Sequence, residues 1–166
     1  DKKQTRADIL ILGKALSGGA IPVSAVLADD EIMLSIKPGE HGSTYGGNPL
    51  ACEVAQAALE VVRDEKLSER AFELGNLFRA EMEEFIKEND LVKLVRGKGL
   101  LNAIVINDTE TSKTAWNICM NLRDNGLLAK PTHGNIIRFA PPLVITREQL
   151  LECVAIIKKT ISEYKA

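Results

Sequence analysis

Residues 8–19 read DILILGKALSGG, and this stretch decides the fold class. Its first part, Ile9–Leu12, is wholly apolar and ends at Gly13, a pattern typical of a strand that is buried on both faces, as in a parallel sheet. Lys14 follows at the carboxyl end of that strand, where open α/β sheets bind their ligands. The stretch therefore predicts an α/β fold and places Lys14 at the strand end where such folds bind ligands.

The amine of Lys14 has two interpretations at this stage. Desolvation at the end of a buried strand would lower its pKa and free the amine to form a Schiff base with an aldehyde cofactor. Alternatively, Lys14 is an ordinary solvated residue, because surface lysines outnumber catalytic ones. The spacing alone leaves both interpretations open.

A second region of interest, residues 38–49, reads PGEHGSTYGGNP and is too rich in glycine and proline for a helix or a strand. Its length is typical of a functional loop. The hydroxyls of Ser43 and Thr44, the exposed glycine amides and the start of a helix after Asn48 form a set that can hold an anion such as phosphate. A tight turn with capping hydroxyls is the alternative, and the spacing is not that of a P-loop.

The rest of the chain alternates between helical and strand patterns, with a boundary near Leu67 that separates residues 1–66 from residues 67–166. Before the boundary we expect a second strand within 21–28, a short helix over 31–36 and a tightly packed helix that begins at Pro49. After it we expect a small α+β domain, with helices packed on an antiparallel or mixed sheet. Its elements are a helix through 74–86, strands at 91–96, 100–106, 127–130 and 136–139, and helices over about 111–125 and 147–164.

Arg138 is a further candidate, because it lies in an otherwise apolar strand, residues 136–139. A buried guanidinium requires a paired anion. The anion could be a substrate carboxylate or a carboxylate of the protein itself, since both provide the same bidentate geometry. His41 and His133 are expected to be loop or capping residues, and we assign no metal site, because two distant histidines without a third ligand do not bind a metal.

Composition and charge exclude several classes of protein. The 166 residues suffice for one sizeable core, and 45% hydrophobic with 27% charged residues is the balance of a globular protein. The net charge of −2 is spread along the chain, so we expect no nucleic acid or membrane partner. Three cysteines at irregular spacings favour a reducing compartment, the cytoplasm or alternatively the mitochondrial matrix. The start at Asp1 suggests a segment of a longer protein.

Three segments, residues 8–19, 36–49 and 97–103, resemble the class III pyridoxal-phosphate-dependent aminotransferases of fold type I. Residues 124–134 and 137–143 are most similar to the ornithine aminotransferase group within that family. The resemblance implies that residues 1–66 form the end of the large cofactor-binding domain and that residues 67–166 form the small C-terminal domain.

The resemblance also implies roles for individual residues. Lys14 matches the lysine that holds pyridoxal 5'-phosphate as an internal aldimine and then shuttles protons. Thr44, with Ser43 beside it, matches the residue that reaches the cofactor phosphate of the neighbouring subunit in a homodimer. Arg138 matches an arginine near the substrate, which pairs with a glutamate outside this chain when ornithine is bound and is otherwise available to a carboxylate.

The implied reaction transfers the side-chain amino group of ornithine to 2-oxoglutarate and gives glutamate 5-semialdehyde and glutamate. We expect the 166-residue chain alone to be inactive, because the other cofactor contacts lie upstream in the family. The alternatives are a class III enzyme that acts on acetylornithine or 4-aminobutyrate, and a non-enzymatic α/β binding domain.

Overall fold

The computed structural model describes residues 6–165. The chain divides into two compact units, Asp1–Glu65 and Lys66–Ala166, which we call unit 1 and unit 2. Both combine helices with a small antiparallel sheet. The described residues thus have the mixed α/β architecture that the sequence predicts.

Unit 1 is built on a two-stranded sheet and one long helix. Strand β1 (Ile9–Leu12) pairs antiparallel with β2 (Ala25–Ala28). A short 3-10 helix (Lys14–Ser17) follows β1, and α1 (Asp30–Met33) follows β2. Helix α2 (Pro49–Asp64) begins where the sequence predicts, because Pro49 suits the first helical position and the Asn48 side chain accepts a hydrogen bond from the Ala51 amide at 3.2 Å.

The expected burial of β1 is wrong for this chain. Ile9 is 51% exposed and Ile11 is 74% exposed, and β1 has one antiparallel partner instead of parallel neighbours. A strand becomes buried on both faces when helices cover both sides of its sheet. In unit 1 the long helix α2 packs against the 3-10 helix that follows β1, so it does not cover the strands.

Unit 2 is a four-stranded antiparallel sheet with three helices. Its strands have the order β3-β4-β6-β5. Its elements are α3 (Leu67–Ile86), β3 (Val92–Lys98), β4 (Leu101–Ile106), α4 (Thr114–Asp124), β5 (Lys130–Thr132), β6 (Ile136–Phe139) and α5 (Arg147–Ser162). The helices cover the sheet face that carries Ile104, Ile106, Ile137 and Phe139, all of which are buried.

The strand expected at 127–130 begins later, at Lys130, for a local reason. Gly126 has a φ of 88° and ends α4, and the Leu127 amide donates back to the Leu122 carbonyl at 2.9 Å. This is the hydrogen bond of a Schellman cap, which holds Leu127 against the end of the helix. Leu127 is therefore buried as part of the cap and not as part of a strand.

The core of unit 2 is apolar and continuous. Met82, Ile118 and Leu122 are completely buried in it, together with strand residues from β3, β4 and β6. Helix α3 lies directly against the β3–β4 turn, since a Cβ atom at Gly75 would be 1.8 Å from the Gly99 carbonyl oxygen. Among the described residues, no helix is long and apolar enough to cross a membrane.

Candidate active site

Lys14 occupies an unusual backbone conformation. It directly follows β1 and Gly13, opens the 3-10 helix, and has a φ of 55°. This left-handed region costs a residue with a Cβ atom roughly 1–2 kcal/mol, and such residues cluster at functional sites. Nothing in the sequence marks this strain, and the conformation is a second, independent reason to single out Lys14.

A rigid turn returns the chain from Lys14 to β2. Gly18 and Gly19 both have positive φ angles, of 66° and 88°, which glycine adopts without steric cost. The Ser17 side chain is buried, donates to the Ile21 carbonyl and accepts from the Ile21 amide. The two Ser17–Ile21 hydrogen bonds and the positive φ angles of Gly18 and Gly19 therefore define the turn that follows Lys14.

Lys14 borders a cavity of about 950 Å³ within unit 1. Ser43 from the glycine-rich loop lines the same cavity, as do Asn48 and Cys52 at the start of α2. The remaining lining residues are Gly19, Ile21, Pro22, Val23, Ser24, Tyr45, Gly46, Gly47 and Ala51. The structure thus brings together two of the sequence-predicted residues, Lys14 and Ser43, although 28 residues lie between them in the chain.

The glycine-rich loop also has a purely local organisation. The Ser43 hydroxyl oxygen accepts a hydrogen bond from the Gly46 amide at 2.9 Å, which is the turn that the sequence allows as an alternative. The hydroxyl hydrogen of Ser43 is left to donate to a ligand. Thr44 is exposed and is not among the residues that line the cavity. Of the two loop residues proposed for cofactor binding, Ser43 lines the Lys14 cavity and Thr44 does not.

Two expectations about burial require correction. Lys14 is exposed, so the desolvation expected at the end of a buried strand is not present in this chain. Arg138 is also exposed, although its neighbours Ile137 and Phe139 are buried. The reason is the alternation of side chains in a strand, which places Arg138 on the sheet face opposite to the helices.

Arg138 forms no ion pair with a carboxylate within residues 6–165. An internal salt bridge, one of the two interpretations of this arginine, is therefore not found in the described part of the chain. The residue opposite Arg138 on β5 is Lys130, and the residue opposite on β4 is Ala103. His133, which follows β5, has a φ of 49° in the turn to β6.

No group of three His, Cys, Asp or Glu side chains is placed to hold a metal ion in the part of the chain that the structure describes. His41 lies in unit 1 and His133 in unit 2, each in a loop, as expected. Among the described residues the three cysteines are free thiols, and burial raises the pKa of the Cys119 thiol to about 11.

Comparison with known proteins decides the family. Residues 1–161 match the family described as aminotransferase class-III. The chain belongs to this family. The class III assignment agrees with the resemblance of residues 8–19, 36–49 and 97–103, and it confirms that resemblance.

Several relatives of this class III chain are ornithine aminotransferases. The mitochondrial ornithine aminotransferase of Drosophila melanogaster is 64% identical over 97% of this chain and 36% of its own length. The enzyme of Rattus norvegicus is 60% identical over 99% of this chain and 37% of its own length. The chain therefore spans little more than a third of the relatives that it matches.

Solved structures of class III enzymes share the fold of the chain. Acetylornithine aminotransferase from Elizabethkingia anophelis is 72% identical, with a TM-score of 0.94 over 98% of this chain and 40% of that one. Ornithine aminotransferase from Plasmodium yoelii is 51% identical, with a TM-score of 0.88 over 96% of this chain and 42% of that one. These likenesses confirm the predicted α/β fold class.

Proposed function

We propose that this chain is part of an ornithine aminotransferase, which transfers the side-chain amino group of ornithine to 2-oxoglutarate with pyridoxal 5'-phosphate as cofactor. The observation that carries the proposal is the strained backbone of Lys14 at a cavity that Ser43 also lines. Family membership and ornithine aminotransferase relatives at 64% and 60% identity support it.

The cavity suits a phosphorylated pyridine aldehyde by its chemistry and its size. It offers the amine of Lys14, the hydroxyl of Ser43 and backbone amides of the glycine-rich loop. Its volume of about 950 Å³ lies at the upper end of the usual range for small-molecule sites, roughly 300–1,000 Å³. When bound, the cofactor supplies an electron sink that lets the substrate lose the proton next to its amino nitrogen.

Lys14, Ser43 and Thr44 would have different roles in the reaction. The Lys14 amine would hold the cofactor through its aldehyde carbon, and after release it would take up and return the substrate proton. Ser43 and Thr44 would donate hydrogen bonds to the cofactor phosphate, with Thr44 acting on the cofactor of a neighbouring subunit. That assignment accounts for Thr44 being exposed and outside the cavity lined by Lys14.

Arg138 would bind a carboxylate of the substrate. It is exposed on unit 2, and no carboxylate among residues 6–165 forms an ion pair with it. A free guanidinium can form two parallel hydrogen bonds with an incoming carboxylate. The proposal that Arg138 and Lys14 act in the same reaction is based on the family motif around Arg138.

The proposal also includes the domain assignment, the oligomeric state and the cellular compartment. Residues 1–66 would be the end of the cofactor-binding large domain and residues 67–166 the small C-terminal domain, an assignment compatible with the two compact units. The enzyme would work as a homodimer or a larger homo-oligomer. A cytoplasmic location, with the mitochondrial matrix as the alternative, suits three free cysteines, because both compartments keep thiols reduced.

An acetylornithine aminotransferase is the second candidate, because a structure with that name is 72% identical to this chain. The two substrates differ at the α-nitrogen, which is a charged ammonium in ornithine and a neutral amide in acetylornithine. Transamination rates of the full-length protein with each substrate distinguish the candidates. We expect ornithine to be preferred, and a preference for acetylornithine would overturn the first assignment in favour of the second.

Labelling of the cofactor lysine tests the catalytic proposal directly. Borohydride reduction of the full-length protein loaded with pyridoxal 5'-phosphate should fix the cofactor on Lys14, as peptide mapping would show. Lys14→Ala should lose the visible absorbance and the activity. Lys37→Ala is the matched control, since this exposed lysine of unit 1 donates to the Leu34 carbonyl and lies outside the cavity. A label on another lysine, with Lys14→Ala still active, would overturn the proposal.

A further inference from the structure

Ser17, at the end of the 3-10 helix that begins at Lys14, has an unusual environment for a serine. Ser17 is 2% exposed, and among residues 6–48 it is the only residue that is buried. A hydroxyl loses its hydrogen bonds to water on burial, which costs free energy unless protein groups replace them. An apolar side chain of similar size would fill the same space without that cost. The buried hydroxyl therefore indicates a role in hydrogen bonding and not in packing alone.

The hydrogen bonds of Ser17 both go to the backbone of one residue. Its hydroxyl donates to the Ile21 carbonyl and accepts from the Ile21 amide at 3.2 Å. Ile21 lines the Lys14 cavity, as do the next residues, 22–24. Lys14 itself lines that cavity from the other end of the 3-10 helix. The two bonds thus connect the backbone that carries Lys14 to a second part of the wall of the same cavity.

The backbone at Lys14 needs such support because its conformation is unfavourable. A residue with a Cβ atom keeps a positive φ, here 55°, only when the surrounding structure imposes it. The 3-10 helix supplies two backbone hydrogen bonds, of 3.2 and 2.9 Å, within residues 13–18. The hydrogen bonds of a 3-10 helix have poor geometry, so this short helix holds its own shape weakly. Among the described residues, Ser17 adds the side-chain hydrogen bonds of this helix.

Support of helix α2 is the alternative role for Ser17. The 3-10 helix packs against α2, and a Cβ atom at Gly18 would lie 3.6 Å from the Cβ atom of Ala58 on α2. A purely structural role there predicts that loss of the Ser17 hydroxyl loosens α2 as much as the backbone at Lys14. Apolar contact with a helix does not require a hydroxyl, whereas the two bonds to Ile21 do. The observations therefore favour a role toward Lys14.

We infer that Ser17 is a positioning residue for Lys14, which holds the backbone that aims the lysine amine into the cavity. This inference rests on the proposed function and deepens it. The Lys14 amine is attached through a long flexible stem, so a fixed backbone reduces the number of directions in which the amine can point. An amine that is already oriented reacts faster, because less freedom is lost when it meets its target. Loss of Ser17 should therefore slow the chemistry of Lys14 without abolishing it.

Cofactor attachment to the full-length protein tests the positioning role. Ser17→Ala removes the hydroxyl with little change in volume. When pyridoxal 5'-phosphate is added to cofactor-free protein, its aldehyde should attach to the Lys14 nitrogen, with loss of one water, about five- to tenfold more slowly in this variant, the scale of one net hydrogen bond. The rise in visible absorbance measures the rate. Ser35→Ala is the matched control, because the exposed Ser35 hydroxyl donates to the Ile32 carbonyl at 2.6 Å outside the cavity.

Hydrogen exchange of the cofactor-free, full-length protein separates positioning from support of α2. In Ser17→Ala the amides of residues 14–21 should exchange about five- to tenfold faster, while those of α2, residues 49–64, keep their rates. Equal acceleration in both segments would assign Ser17 to the packing of α2 and overturn the inference.

The two measurements also separate the inference from the proposed function. If Ser17→Ala attached the cofactor to Lys14 as fast as Ser35→Ala does, the inference would be overturned and the proposed function would stand. If peptide mapping of the unmodified protein found no cofactor on Lys14, the proposed function would fail, and the inference with it.

Discussion

The two units bury very different amounts of apolar surface. Unit 2 contains a continuous core in which Met82, Ile118 and Ile137 are completely buried. Among the described residues of unit 1, the buried apolar ones are Ala51 and Ala55, while large side chains such as Ile11 and Leu34 are mostly exposed. Because apolar burial is the main favourable term in folding, unit 2 has its own source of stability. Unit 1 contains Lys14 and the glycine-rich loop, whereas unit 2 contains the continuous apolar core.

The sharpest test of this difference compares two helical truncations. Ile118→Ala removes a completely buried side chain from α4 and should lower the free energy of unfolding by about 2–5 kcal/mol. Leu59→Ala removes a side chain on α2 that is 53% exposed and should change it by less than about 0.5 kcal/mol. Urea unfolding of the chain, followed by circular dichroism, measures both. Equal losses would mean that unit 1 is as well packed as unit 2.

Alanine substitutions at Gly75 in unit 2 and at Gly42 in unit 1 compare how tightly the backbones of the two units are packed. At Gly75, in α3, a Cβ atom would overlap the Gly99 carbonyl, and the separation this requires should cost about 1–3 kcal/mol. The better helix propensity of alanine returns at most about 1 kcal/mol, so the clash dominates. Gly75→Ala should therefore lower the melting temperature.

Gly42→Ala in unit 1 is the control for that substitution. A Cβ atom at Gly42 meets nothing within 4 Å, and Gly42 is not among the glycines with a positive φ. We expect its melting temperature to stay within a degree or two of the unmodified chain. A Gly75→Ala variant as stable as Gly42→Ala would contradict the close contact between α3 and the β3–β4 turn.

The smallest expected effect is a dependence of unit 2 on acid. The Asp108 carboxylate accepts hydrogen bonds from the Thr114 hydroxyl and the Thr109 amide, and these bonds lower the pKa of Asp108. Because the folded pKa lies below the unfolded value, the unfolded chain binds the proton more readily. The stabilisation is complete above the unfolded pKa and is lost as the pH falls through the lower, folded pKa.

Asp108→Asn should remove that part of the acid dependence. Urea unfolding between pH 5 and pH 2 would show a shallower slope in the variant than in the unmodified chain. Thr114→Val, which removes the first of the two donors, should have the same effect to a smaller degree. An NMR titration that gives Asp108 a pKa at or above that of a free aspartate would contradict the prediction.

Most helices and strands could be predicted from local sequence patterns. The start of α2 at Pro49, the strand at Ile136–Phe139 and the helix that begins at Arg147 follow from caps and periodicity, which act within a few residues. Burial could not be read in the same way, because it depends on partners. Ile9–Leu12 has the composition of a buried strand, but in this chain it has one partner strand and remains exposed.

The residue types of the candidate site could be predicted from the sequence, but their spatial arrangement could not. Motifs identified Lys14, Ser43, Thr44 and Arg138 as residue types suited to the reaction. The exposed position of Arg138, opposite Ala103 and Lys130, depends on the register of β4, β6 and β5, which no local pattern fixes.

The left-handed backbone at position 14 has a consequence for the selection that acts on this protein. Glycine would occupy that conformation without the steric cost that Lys14 bears, so a sequence chosen for folding alone would place glycine there. A lysine persists at such a position when the value of its amine exceeds the stability that it forgoes. Under the proposed function, position 14 would be a site where selection for activity outweighs selection for stability.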